Sequence, residues 1–112
     1  MAGTSPTQNS LAALRGWGYD CWIVEYWNSF TRKRVDLFGC IDIIAIRQGE
    51  TLAVQTTTTG VASRVAKIKA SEHYPSMLAA GWRVEVHGWT KKPQAKGSKR
   101  LVWKQRVVDL SA

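Results

Sequence analysis

Acidic residues are what this sequence has little of: eight Asp and Glu stand against sixteen Lys and Arg, a formal charge of +8 in 112 residues. Cysteine is nearly absent as well. Cys21 and Cys40 lack CxxC spacing and fall in strand-like segments, which argues against a disulfide framework or a cysteine zinc site and for two buried thiols. No apolar run approaches the roughly 20 residues that a membrane-spanning helix needs. The opening MAGTSPTQNS lacks the basic-then-apolar layout of a secretory signal, so a cytoplasmic protein is expected. Thr56 to Thr59 have no glycine-rich frame and no GK[ST], which excludes a phosphate loop. His73 and His87 are too isolated to form a metal pair.

What is present fits one domain, spanning 1–112, because the length suffices for one core but not two. Ser5, Pro6 and Gln8 form a helix start, with Leu11, Ala12 and Leu14 as its apolar face and Gly16 and Gly18 at its end. Cys21 to Trp27 reads as a strand, and "SFTRKRVDLFG" as a loop. "CIDIIAI" is apolar on both faces, as an interior strand must be. "RQGE" is a turn and "TLAVQTT" a further strand. Val61, Val65 and Ile68 make one helical stripe, with Arg64 and Lys67 beside it. Pro75 breaks that pattern, and "PSMLAAG" offers another helical turn or two. "WRVEVHGW" alternates, with Trp82, Val84 and Val86 inward and Arg83, Glu85 and His87 on a wet face. "TKKPQAKGSKR" reads as a loop and "LVWKQRVVDL" as the last strand. The expected fold is a single α/β domain, a mixed sheet flanked by helices, in the order α-β-β-β-α-β-β.

Two polar residues interrupt these core strands. With Arg47 to Glu50 as the turn, Ile46 pairs with Thr51, and the same register sets Asp42 opposite Gln55. Thr57, two residues on, shares that face. The sequence therefore predicts a carboxylate, an amide and a hydroxyl at one end of a hairpin. A slip of one residue would separate them. Such oxygens suit Mg²⁺ or Mn²⁺. The alternative is that Asp42 is a buried carboxylate satisfied by the threonine row or a helix terminus.

The succession of helix, strand, "FGCIDIIAI", turn, "LAVQTT", basic helix and strand resembles the PD-(D/E)XK nuclease superfamily. The likeness is to the branch of Holliday-junction resolvases and VRR-NUC domains, and it covers roughly Leu11 to Trp89. It implies a restriction-endonuclease-like core and metal-dependent hydrolysis of DNA phosphodiesters, at branched or structured DNA. Asp42 falls on the family's aspartate, Gln55 on its Glu or Asp position, and Thr57 on its lysine position. Only Asp42 is the expected residue. Glutamine still offers a ligand oxygen, whereas threonine supplies no positive charge, so Lys67 on the following helix is the candidate stand-in, ahead of Lys69. The branch's glutamate in the first helix is also missing, with Gln8 in a comparable place. Glu25 and Asp36 are the replacement carboxylates.

Several basic groups read as phosphate contacts. Arg32, Lys33 and Arg34 form one cluster, and Lys91, Lys92, Lys96, Lys99 and Arg100 another. Arg64 and Lys67 stand near the start of the second helix. None carries base-reading information, so salt-sensitive DNA binding through the backbone is expected. Trp22 and Trp82 read as core; Trp27, Trp89 and Trp103, near strand ends, read as packing or as stacking platforms for bases. A homodimer is consistent with the resemblance, as is a phage or mobile-element origin. Two other functions remain open: a DNA-binding relative without catalysis, and a small factor binding an acidic host protein.

Overall fold

A computed structural model describes residues 5–111 and begins with α1 (Pro6–Gly16). Ser5 caps this helix by accepting from the Gln8 N–H, and Pro6 occupies the first turn, where no amide donor is needed. The buried face is Ser10, Leu11 and Leu14; Ala12 is exposed.

The stretch expected to be one strand from Cys21 to Trp27 is two. β1 (Asp20–Ile23) joins the main sheet, while β2 (Tyr26–Asn28) leaves it and pairs with β3 (Lys33–Val35). The division has a cause in the partner strand. Ile23 pairs with Ile43, the first residue of β4 (Ile43–Arg47), and after one further bond, from the Val24 N–H to the Asp42 carbonyl at 2.9 Å, β1 leaves the main sheet. The segment read as a loop is thus the tip and second strand of a small hairpin. Trp22 is not core but 76% exposed. Cys21 takes the inward side of β1, which lies at the edge of the sheet.

β4 and β5 (Glu50–Thr57) pair in the register read from the sequence, Ile46 with Thr51 and Ile43 with Val54. The turn is tighter than four residues: Arg47 pairs with Glu50, leaving Gln48 and Gly49, the latter at φ 75°. Two helices follow, α2 (Val61–Ala70) and α3 (Tyr74–Ala79), with Pro75 in the first turn of α3. The chain closes with β6 (Arg83–Pro93) and β7 (Leu101–Asp109). The five-stranded sheet has the order β1-β4-β5-β6-β7 and is mixed, with β5 and β6 parallel and the other neighbours antiparallel.

Each face of the sheet carries its own core. Leu11, Leu14 and Tyr19 close over Cys21, Ile43, Ala45, Leu52 and Val54. On the other face Val61, Ile68 and Met77 pack against Ala53, Val84 and Val86. α1 also covers the β6 face expected to be wet, so His87 is 2% exposed rather than a surface residue. Trp82 is half-buried against the second core. Of the expected loop Thr90 to Arg100, the first four residues are ladder, since β6 and β7 stay paired out to Pro93 and Leu101. β5 ends opposite Gly88, so residues 89–93 carry this hairpin about 16 Å past it. Among the described residues, no helix is long and apolar enough to cross a membrane.

Candidate metal centre

Asp42 stands where the β4–β5 ladder runs out. Its N–H still donates to the Val54 carbonyl at 2.8 Å. Its carboxylate then takes over from the missing strand, and three donors meet on Oδ2: the Thr56 N–H at 2.8 Å, the Thr56 hydroxyl at 3.0 Å and the Gln55 Nε2 at 2.7 Å. Both Asp42 and Gln55 are buried. Because the Gln55 nitrogen is committed to a carboxylate, which only accepts, the amide orientation is fixed. Its Oε1 is left buried with no hydrogen-bond partner. An orphaned acceptor of that kind costs about 1–3 kcal/mol.

Two more carboxylates arrive from the chain before β4. Glu25 lies in the break between β1 and β2. Asp36 follows β3 and is returned to the site by a tight reversal, in which Gly39 donates to the Asp36 carbonyl and Leu37 pairs with Ile41. Phe38 and Gly39 both take positive φ to make it. One ligand oxygen from each of Glu25, Asp36 and Asp42 lies within 4.8 Å of the others. They line an open cleft of about 360 Å³, together with Gln55, Thr56 and Thr7. Burial, opposed by the Thr56 N–H and reinforced by the charges of Asp36 and Glu25, pushes the Asp42 carboxyl up to about 6.

Cations approach this group from two elements, β3 and α2. Arg34 of β3 bonds Glu25 at 3.3 Å, and Lys67 of α2 lies 3.9 Å from Asp36. Arg64, one helical turn before Lys67, lines the cleft with its Nε buried and unpartnered. Arg32 and Lys33 are exposed on the β2–β3 hairpin. Lys91, Lys92, Lys96, Lys99 and Arg100 are exposed on the β6–β7 arm and do not line the cleft, Lys91 resting over the Trp103 ring at 5.1 Å.

The sequence therefore places Asp42 beside Gln55 correctly, but Thr57 is not the hydroxyl that joins them. Thr57 accepts from the Gly60 N–H at the start of α2, and Thr56 meets Asp42 instead. The cause is the end of the ladder: a carboxylate there reaches the unpaired backbone N–H of the next strand and the hydroxyl on the same residue. That signal was readable in the hairpin register. Thr7, whose hydroxyl meets that of Thr56 at 2.9 Å, had no local signal. Gln8 is exposed and does not line the cleft.

A second buried polar group has the outline of a nucleophilic triad. Ser10 meets His87 Nδ1 at 2.8 Å, and His87 Nε2 meets Glu85 at 2.9 Å. Yet Ser10 is fully buried, and its oxygen accepts from the Trp89 indole at 2.8 Å. Trp89 is thus packing, not a stacking platform. With Ser10 donating to Nδ1, where the Gln105 amide also approaches at 3.2 Å, and the Nε2 proton directed at Glu85, each of these hydrogens meets an acceptor. This network ties α1 to β6 and leaves no nucleophile facing solvent.

No family model, curated protein or solved structure matches this chain. What its own fold and cleft define is a mixed-sheet α/β domain with a carboxylate cluster at the end of its central strands.

Proposed function

We propose that the cleft holds Mg²⁺ or Mn²⁺ and that the protein hydrolyses DNA phosphodiesters, as the resemblance to PD-(D/E)XK nucleases implies. The observation that carries this reading is the orphaned Gln55 Oε1 beside three clustered carboxylates. Acidic groups are scarce in this chain, yet three cluster here; Glu25 pairs with Arg34 and Asp36 with Lys67, but neither pair includes Asp42, whose charged state a bound cation would favour. The donor set is all hard oxygen, which suits these ions and not zinc. Asp42, Asp36, Glu25 and Gln55 would hold the ion. Bound there, it polarises a phosphate oxygen and acidifies a water.

The chain's own residues supply the rest. Arg34 and Arg64 bring positive charge to the cleft wall, where a phosphodiester must neutralise its own. Lys67, 3.9 Å from Asp36, would be the stand-in for the lysine that the resemblance calls for and Thr57 cannot replace. Thr56 and Gln55 hold the Asp42 carboxylate in one orientation. A binding protein without catalysis is the second reading, and it is favoured by the commitment of the Thr57 hydroxyl to Gly60.

The test is cleavage of labelled single-stranded, duplex and four-way-junction DNA in Mg²⁺ and Mn²⁺, with chelator controls. Nicking is expected in metal and absent in chelator. It should fall by about 100-fold or more in Asp42→Ala and in Asp36→Asn, the scale on which one preorganised electrostatic group acts. Retarded bands without cutting in either metal would leave the binding reading alone standing.

A further inference from the structure

The β2–β3 hairpin exposes more aromatic surface than its own packing explains. Tyr26 is 59% exposed, Trp27 60% and Phe30 97%. The two-stranded ribbon is separate from the main sheet. Its tip is nonetheless ordered: the Asn28 side chain accepts from the N–H groups of Phe30 and Thr31, closing the turn before Arg32. Aromatic rings held on a fixed scaffold in water are a cost unless something covers them.

The register says what that something is. Trp27 pairs directly with Arg34, so the two side chains leave the same face of the ribbon. Arg34 is also the cation that bonds Glu25 and lines the acidic cleft. The side chains of an exposed indole and of a cation at the rim of the candidate centre thus start about 5 Å apart at their Cβ atoms, one cross-strand spacing. Lys33 and Arg32 continue the positive charge along the same ribbon.

We infer that Trp27 is a stacking platform for an unpaired base next to the phosphodiester held at the cleft, with Arg34 on the intervening backbone. The favoured substrate is therefore DNA that is single-stranded or splayed where it enters the site. This inference rests on the nuclease reading for its orientation and adds the substrate class. Bases inside a duplex have both faces covered by their neighbours, so only unpaired ones can take up the ring. An indole beside a guanidinium is the combination that binds single strands without regard to sequence, one by stacking and the other by charge. A protein partner fits less well, because interface cores are depleted in charge while three consecutive cations lie among these rings. A second copy fits worst, since it would bring two chains of charge +8 together at their basic arms.

The test is fluorescence anisotropy with a labelled single strand and its duplex, in chelator so that nothing is cut. Trp27→Ala should weaken single-strand binding about 5- to 150-fold, the effect of removing one base-stacking ring. Duplex binding should change less than about twofold. Trp17→Ala is the control, a still more exposed tryptophan whose backbone carbonyl accepts from Arg47 at the far end of β4. It should change neither.

The inference is overturned if Trp27→Ala weakens both ligands equally or neither, or if Trp17→Ala mimics it. It also fails if the free protein sediments as a dimer that Trp27→Ala dissociates, which would make the ribbon a homotypic interface. Because binding is read without metal, a protein that never cuts but shows the Trp27-dependent preference would lose the nuclease reading and keep this one. A protein that cuts without that preference would do the reverse.

Discussion

At Asp42 stability opposes the proposed metal-binding role, and the opposition can be measured. Its carboxyl is raised from 3.8 to about 6, first by burial, against the Thr56 N–H, and then further by Asp36 and Glu25. A carboxyl whose folded value lies above its unfolded one holds its proton more tightly in the native state. The stability this gives is full below about pH 3.8 and is lost as pH rises through about 6. The loss is on the order of 3 kcal/mol. Asparagine at this position keeps an oxygen for Thr56 and carries no charge. In chelator, Asp42→Asn should therefore be the more stable protein at pH 7.5, and the wild type should close the gap as the pH falls to 4. Urea midpoints across that range test it; a variant less stable than wild type at pH 7.5 refutes the assignment. Magnesium should close most of that gap, stabilising the wild type by about 2.7 kcal/mol at one hundred times its dissociation constant and leaving the variant unmoved.

At the scale of elements, α2 decides whether two cations reach the cleft, and Gly88 decides how closely α2 lies on the sheet. A Cβ on Gly88 would stand 2.4 Å from Val61 Cγ2, inside any real contact. Valine is stiff at χ1 and cannot swing aside cheaply. Gly88→Ala should thus push out the start of α2 and cost about 1–3 kcal/mol, as overpacking does. Val61→Ala made in the same chain should return much of that, a coupling of about 0.5–3 kcal/mol in a double-mutant cycle of urea unfolding. Additive costs would show that the two elements do not press on each other there. This contact was not legible in the sequence, where Gly88 is merely a glycine inside a strand. The β4–β5 hairpin was legible, because a local turn and two apolar runs fix its register and with it the meeting of Asp42 and Gln55. Glu25 and Asp36 could be named only as candidates, since Glu25 reaches the site from the break between β1 and β2, and Asp36 from the start of a chain reversal built on two positive-φ residues. His87 and Trp22 were misread for one reason. Alternation tells which face a side chain takes but not whether a helix lies over that face. α1 covers His87, while Trp22 sits on the far face of an edge strand.

Across the whole molecule, charge is sorted by position. The three clustered carboxylates lie at the end of β4 and β5, and both basic hairpins leave the sheet at that same end. β1 runs toward Asp42 and passes into the β2–β3 ribbon, since Ile23 pairs with Ile43. β6 runs parallel to β5 and overshoots it into the arm whose tip carries Lys96, Lys99 and Arg100. A strand of DNA lying across the cleft would be flanked by cations on both sides, with the acidic centre the one place that needs an ion to accept it. Each phosphate neutralised by an arm releases condensed counterions, so log K for a single strand should fall with log salt by about 0.7 per contact. Replacing Lys96, Lys99 and Arg100 together by alanine should flatten that slope by about 2 if all three touch phosphates. The same change at Arg32, Lys33 and Arg34 should do likewise if the proposed strand also touches the opposite side of the cleft. Neither triple change should alter the relative affinity for different sequences, since phosphate contacts carry no base information. Titrations at four or five salt concentrations, in chelator, give the slopes. If removing the β6–β7 cations leaves the slope intact while removing those of β2–β3 does not, the strand crosses only the near bank, and the long arm projects past the nucleic acid.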